Sequence, residues 1–233
     1  MTSAKTSVVE PTGPLPAPRQ ILTDNVYEAV KALVMDHNIA PGARVNIDAL
    51  ARQLQVSQTP LREALARLES DGLVTKEPLR GYSATPLLTW QQLDNLYELR
   101  LLIEPWAAAN AASNITPQAQ DRLEQELSTC VEAPEGSSYE DYKRLSAHDN
   151  RFHDLIMELA DNSSVRDAYA KTHCHLHGFR LYYGSGIGMK ALKEHQRIAK
   201  AISSGNEDRA SNAMQAHLET ARKRFRVAFE KKA

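Results

Sequence analysis

The chain has 233 residues, and its 42% hydrophobic and 24% charged residues are typical of a soluble globular protein with one large or two ordinary domains. No stretch reaches the roughly 18 uninterrupted apolar residues of a membrane span, and residues 1–20 lack the apolar centre of a secretory signal, so we expect a cytoplasmic protein. Two cysteines are too few for a disulfide framework, and 28 basic against 29 acidic residues give no overall charge that would indicate a nucleic-acid partner.

Residues 1–19 form the first segment, in which four prolines stand among small and polar residues. Such a segment has too little apolar surface to offset the entropy of ordering, so we predict a flexible tail. From Ile21 onwards, apolar residues recur at helical spacing until Pro41 and Gly42 stop the pattern. This periodicity predicts the first helix.

Two shorter apolar stripes with helical spacing come next. One covers Ile47–Leu54, and the other begins after Ser57 and ends at Gly72. Residues 73–84 then give two short strand-like pieces around a turn. Three helices and a small β-hairpin over residues 20–85 predict a winged helix-turn-helix domain.

Residues 86–233 follow a helical pattern almost throughout, with loop-forming Pro and Gly residues between the helices. This pattern predicts an all-α six-helix bundle and, with the first domain, a mainly α protein. The predicted helices are Thr89–Ser113, Pro117–Val131, Tyr139–Ala160, Ser163–Tyr183, Met189–Ser203 and Asn206–Phe229.

The third predicted helix has the features of a recognition helix. Its leucines face the core, so Gln58, Thr59 and Arg62 lie together on the opposite side near its N-terminus. Arginine pairs with phosphate or the O6/N7 edge of guanine, and glutamine pairs with adenine. Ser57 is expected to cap the helix with its hydroxyl, and Arg80 in the wing to enter a minor groove.

Any one of these side chains, taken alone, is more often an ordinary solvated surface residue. Together, two helices, a third helix with a clear N-terminal start signal and a hairpin favour DNA binding over a three-helix core without a binding function. Between Arg19 and Tyr82, however, eight basic and eight acidic residues cancel. We therefore expect a single subunit to bind DNA weakly.

The run VNIDALARQLQVSQTPLREALARLESDGLV, residues 45–74, followed by Arg80-Gly81, resembles the signature of GntR-type winged-helix repressors. The resemblance implies a homodimer on a short palindromic operator in double-stranded DNA. Two positions depart from the common pattern: Gln58 stands where arginine is frequent, and Asp48 stands where some members have a DNA-contacting arginine. The candidate DNA-contacting residues are Arg52, Ser57, Gln58, Thr59, Arg62, Arg80 and Gly81.

An aspartate and three histidines in the second half form a candidate metal site. Asp149 and His153 are four residues apart, so they share one helix face, and His195 and His217 each lie on an apolar stripe. A single inward histidine is more often a hydrogen-bonded core residue. Four such groups from three helices suit zinc, with nickel, manganese or iron as alternatives, and leave positions open for water or a ligand.

The residues around these four positions resemble the FCD domain, the effector domain of the FadR-like branch of GntR regulators. The resemblance implies that Asp149, His153, His195 and His217 hold a divalent metal ion, with a small organic acid bound beside it.

Arg100 lies on an apolar stripe, where an uncompensated charge is unusual. It either forms an ion pair with Glu104 or binds an effector carboxylate, to which Tyr97 would add a hydroxyl.

Three further histidines, at 173, 175 and 177, alternate along a predicted helix and cannot all bind one ion, so we assign them to packing or the surface.

The combined prediction is a homodimeric transcription regulator that contains a metal ion and is expected to be a repressor. It responds to a small organic acid and has no catalytic residues. The alternatives are a metal-dependent hydrolytic enzyme that uses the Asp/His cluster, and an architectural DNA-binding protein without an effector.

Overall fold

The computed structural model describes residues 18–134, 136–181 and 187–230. Its first part has three helices and an antiparallel hairpin: α1 (Pro18–Met35), α2 (Ile47–Gln53), α3 (Gln58–Ser70), β1 (Val74–Glu77) and β2 (Gly81–Ala84). We call this part the winged helix, and it confirms the predicted architecture. Most of the predicted tail lies outside the described residues, but α1 already begins at Pro18, since proline is well tolerated in the first turn of a helix.

Only helices are seen in the described residues beyond β2, which confirms the all-α prediction. They are α4 (Trp90–Ser113), α5 (Pro117–Ser128), α6 (Tyr139–Leu159), α7 (Ser163–Ala170), α8 (Cys174–Leu181), α9 (Ile187–Ser203) and α10 (Glu207–Glu230). We call them the helical bundle. The prediction of six helices was wrong at residues 163–183, where α7 and α8 are separated because His173 has a left-handed φ of 46°. The end of that prediction, at Tyr183, lies outside the described residues.

The core of the winged helix forms where α3 packs against α1. Leu61, Leu65 and Leu68 on the inner face of α3 are fully buried, and each contributes roughly 2 kcal/mol through removal of apolar surface from water. The hairpin pairs Val74 with Ala84, and both residues face this core. The opposite face of α3 is therefore held towards the solvent.

The core of the helical bundle is built around its longest helices. α4 packs along α10, while α6 and α9 contribute the fully buried Phe152 and Ile198. The same interior contains buried polar groups, among them Arg100, Glu104 and several histidines. Buried charge is stable only when it is paired or binds a ligand, so this interior is where a functional site is expected.

Two helices of the bundle contact the winged helix. Tyr139 and Tyr142 of α6 and Phe179 of α8 join its apolar core, and Phe179 stacks on Tyr142 with ring centroids 5.7 Å apart. The backbone N–H of Tyr139 donates to Asp36 over 2.6 Å. The winged helix is thus packed directly against α6 and α8. Across the three described segments, none of the helices combines the length and apolar character that a membrane crossing requires.

Candidate functional site

The N-terminus of α3 presents the predicted recognition residues to solvent. Gln58, Thr59 and Arg62 are exposed. Ser57 is the N-cap residue with extended backbone angles, but within the described structure its side chain makes no capping hydrogen bond, so that part of the prediction was wrong. The physical reason is Pro60, which occupies the third helical position and lacks the N–H that a capping hydroxyl normally accepts from. The Ser57 hydroxyl is left exposed.

The two departures from the GntR pattern contact each other. Nε2 of Gln58 donates to Oδ1 of Asp48 over 2.5 Å, and Nη2 of Arg62 donates to Oε1 of Gln58 over 3.2 Å. Asp48 thereby orients Gln58, which in turn holds the Arg62 guanidinium near the start of α3.

The wing lies beside these three hydrogen-bonded side chains. A cleft runs between α3 and the wing, and Arg62, Arg80 and Gly81 line it together with Arg44, which the sequence analysis missed. Arg80 has a side chain 79% exposed. Gly81 has a φ of +83°, which strains any side-chain-bearing residue. The structure therefore brings the wing residues next to Arg62, while Arg52 lines an adjacent shallow cleft with Ser57.

The second constellation is a histidine cluster inside the bundle. One nitrogen from each of His153, His195 and His217 lies within 4.8 Å of the other two, and all three residues are buried. Asp149 and His175 form a second such group with His153. Oδ1 of Asp149 is 3.4 Å from Nε2 of His195, longer than a typical hydrogen bond. The four predicted ligands are thus brought together.

Hydrogen bonds fix which nitrogen of each histidine faces inward. Nδ1 of His153 donates to Glu104, and Nδ1 of His217 donates to Glu194 over 2.7 Å. A carboxylate only accepts, so Nδ1 carries a proton in both rings, and in a neutral ring this leaves the lone pair on Nε2. In the described part of the chain, Nε2 of His153 and of His195 is buried without a hydrogen-bond partner. Orphaned buried acceptors of this kind are what a metal ion satisfies.

His195 is oriented through an intermediate histidine. Its Nδ1 donates to Nε2 of His148 over 3.0 Å, and Nδ1 of His148 donates to Glu126 over 3.0 Å. Each of the three carboxylates also accepts from an arginine: Glu104 from Arg100, Glu126 from Arg151 and Glu194 from Arg224. The role of these three Arg–Glu pairs as supports for the histidines was not predicted from the sequence.

The pKa values of the cluster match a ligand set that is ready to bind. Burial lowers the pKa of His153 to about 4 despite the neighbouring Glu104, and burial also holds the pKa of His195 well below its usual range. Although burial acts in the opposite direction, His175 keeps the pKa of Asp149 below its usual range. At neutral pH both imidazoles are uncharged and the carboxylate is ionised, as metal ligation requires.

His175 is buried, which agrees with the packing alternative, but it also contacts the candidate metal ligands. Its Nδ1 donates to Asp149, and Nε2 and the hydroxyl of Tyr169 are 2.9 Å apart. Burial lowers the pKa of His175, but Cys174 and Asp149 outweigh it and raise the pKa to about 10.

A cavity of about 70 Å³ adjoins the cluster. Its wall includes the predicted effector residues Tyr97 and Arg100 together with Asp149 and His217. Arg100 is ion-paired with Glu104, the alternative left open by the sequence, yet it still lines the cavity. A polar end with metal-ligating groups and an otherwise apolar wall is typical of a small-molecule site.

Comparisons with known proteins assign both parts of the chain. The family model for bacterial regulatory proteins of the gntR family matches residues 22–83, and the model for the FCD domain matches residues 95–220. The chain belongs to the GntR family. In this regulator α3 and the wing fall in the first match, and all four candidate metal ligands fall in the second.

Relatives of known sequence cover most of this regulator. It is 31% identical to the putative L-lactate dehydrogenase operon regulatory protein of Escherichia coli (strain K12), over 88% of this chain and 87% of that protein. It is 28% identical to the HTH-type transcriptional repressor RspR of the same strain, over 87% of this chain and 88% of that protein. The solved structure of E. coli McbR/YncC has a TM-score of 0.66 at 20% identity, over 91% of this chain and 99% of that one, which shows a shared fold.

These matches identify the regulator as a DNA-binding transcription regulator and not an enzyme. The FCD match and the histidine cluster also agree with each other, since FCD domains are known to bind metal ions.

Proposed function

We propose that the regulator is a homodimeric repressor whose affinity for a palindromic operator is controlled by a small organic acid. The acid binds in the cavity beside a divalent metal ion held by Asp149, His153, His195 and His217. Residues 20–85 form the DNA-binding domain and residues from 86 onwards the sensing domain. The observation that carries the proposal is the enclosed set of histidine Nε2 atoms, each oriented through Nδ1, next to a cavity lined by Arg100.

The donor set indicates which ions fit. Three imidazole nitrogens and one carboxylate are borderline ligands that suit zinc first, with nickel, manganese and iron as alternatives. A bound ion would supply a Lewis-acidic centre with open positions for carboxylate oxygens. Arg100 supplies a fixed cation on the same wall, and the ring of Tyr97 lies 5.1 Å from its guanidinium carbon.

The cavity limits the size of the acid. One water molecule needs about 10–15 Å³ of such volume, so about 70 Å³ accommodates an acid with roughly half a dozen non-hydrogen atoms. One relative is named for an L-lactate dehydrogenase operon. Short hydroxy and keto acids are therefore the first effectors to test.

The helix α8 connects the cavity to the DNA-binding domain. His175 of α8 contacts Asp149, and Phe179, one turn later, lines the cavity and packs into the winged-helix core. His173, just before α8, lies under the end of the recognition helix: a Cβ added to Gly72 would lie 3.0 Å from its ring. We infer that an acid that shifts α8 also shifts α3, which couples the two sites.

Operator binding by full-length protein tests the proposal. Bound sequences are first selected from a random DNA pool, and their affinity is then measured with zinc-loaded and chelator-treated protein across a panel of two- to four-carbon acids. We expect a palindromic site and at least one acid that changes its Kd about 10-fold only when zinc is present. An affinity that responds to neither zinc nor any acid would support an architectural DNA-binding protein instead.

We expect Glu194→Gln to weaken zinc binding about 10- to 100-fold, because outer-shell carboxylates orient ligating histidines and raise their basicity. Glu194 accepts from Nδ1 of His217, and two nitrogens of Arg224 hold it in place. Competition with a chromophoric chelator measures the affinity. Glu219→Gln removes the same charge at an exposed position of α10 and should leave zinc affinity unchanged.

A further inference from the structure

One face of α4 carries an exposed apolar stripe. Leu99, Leu102 and Trp106 have relative exposures of 39%, 77% and 40%, and their i, i+3, i+7 spacing places them in one line along the helix. The opposite face of α4 is buried in the bundle. Single exposed apolar residues are common, but a continuous stripe on an otherwise packed helix indicates an interaction surface.

The centre of the stripe, from Leu99 onwards, is uncharged; the exposed Glu98 flanks it one turn before Leu102, and its carboxylate lies 3.6 Å from Arg222. Between Leu99 and Ser113, all of which the structure describes, the exposed and half-buried residues are apolar, small or amide side chains, and the charged residues Arg100 and Glu104 are buried. A partner must therefore present an apolar, uncharged surface in return. Depletion of charge is typical of the centre of a protein interface.

The order of residues along this face is nearly palindromic. About a point between Leu102 and Ile103, Leu99 is the mirror position of Trp106, and polar Asn95 is the mirror position of polar Asn110. Two antiparallel copies of α4 related by a two-fold axis through that point would place apolar residues on apolar residues and amides on amides. A two-fold interface requires this self-complementarity.

We propose that the outer face of α4 is the homodimer seam, with the two α4 helices antiparallel and the axis between Leu102 and Ile103. The inference rests on the proposed homodimer and names its contact surface. Leu99 of one subunit then packs against the partner subunit's Trp106, and Leu102 lies at the axis. The chain itself supplies the complementary surface, so the occupant is a second copy.

Solution mass of the full-length protein tests the seam. We expect Leu102→Glu to raise the dimer dissociation constant about 100-fold or more, because two carboxylates would be buried at the axis. Val131→Glu is the matched control, since Val131 is 62% exposed on another segment, and this variant should remain dimeric. Circular dichroism should show both variants folded, because neither side chain is in the core.

Cysteine cross-linking tests the direction. Asn95 lies about 22 Å from the partner's Asn95 in the antiparallel arrangement, at about 1.5 Å per residue, but opposite the partner's Asn110. A short bis-maleimide should therefore link subunits of the Asn95→Cys, Asn110→Cys double variant and neither single variant, and the native Cys130 and Cys174 are buried. Linkage of a single variant would overturn the antiparallel seam.

The outcomes also distinguish failure of the proposed α4 seam from failure of the proposed homodimer. A monomeric wild type would overturn both the proposed homodimer and the seam. A dimeric wild type whose Leu102→Glu variant stays dimeric would overturn the seam alone and leave the homodimer standing.

Discussion

Arg62→Ala should reduce the affinity of the regulator, as the proposed homodimer, for its operator about 100-fold or more. A specific arginine contact to a base edge contributes about 1–3 kcal/mol, and a homodimer loses that contact in both half-sites. Arg62 is exposed at the N-terminal end of α3, and Gln58 holds its guanidinium on the side of the wing. The fold should be unaffected, because the leucines on the opposite face of α3 supply the core.

Fluorescence anisotropy with the selected operator and with a scrambled duplex measures this loss. We expect affinity for the operator to approach that for the scrambled duplex, since phosphate contacts from other basic residues remain. Arg209→Ala removes one exposed arginine from α10 and should change neither affinity. Normal operator binding by folded Arg62→Ala protein would show that α3 is not the recognition helix.

The winged helix was predictable because its signals are local. Leucine spacing, the start at Ser57 and the turn at Gly72 each act within a few residues, and the structure places α3 at Gln58–Ser70 as expected. The lost cap at Ser57 was also readable in principle, because Pro60 stands at the position of the missing donor. The break at His173 was not, since a left-handed φ in a residue other than glycine depends on tertiary packing.

The histidine cluster was only partly predictable for the same reason. His195 and His217 lie on apolar stripes, so their inward direction follows from helical periodicity. The supports of the cluster come from distant parts of the chain: Glu104 precedes His153 by 49 residues, and Glu126 precedes His148 by 22. No local sequence pattern links such pairs. A glutamate close to an arginine in the sequence is equally consistent with an ion pair that supports no histidine.

The His153→Ala, His195→Ala double variant should lose zinc entirely, whereas wild-type protein should carry close to one ion per chain. Each side chain contributes a buried Nε2 that has no hydrogen-bond partner among the described residues, and their removal leaves at most Asp149 and His217 of the proposed set. Two ligands cannot hold a zinc ion against a chelator, because protein zinc sites use three or four. Elemental analysis of purified protein measures the stoichiometry.

Thermal unfolding separates loss of the site from loss of the fold. Zinc at about 100 times its Kd stabilises the native state by about 2.7 kcal/mol, which corresponds to a Tm increase of roughly 5–10 °C for a chain of this size. We expect that increase in wild-type protein and none in the double variant, whatever the Tm of each protein without zinc. The His173→Ala, His177→Ala variant removes two half-buried histidines outside the ligand set and should keep both the ion and the increase. If the double variant retained stoichiometric zinc, the ion would be held elsewhere. The three inward histidines would then be hydrogen-bonded core residues and not metal ligands.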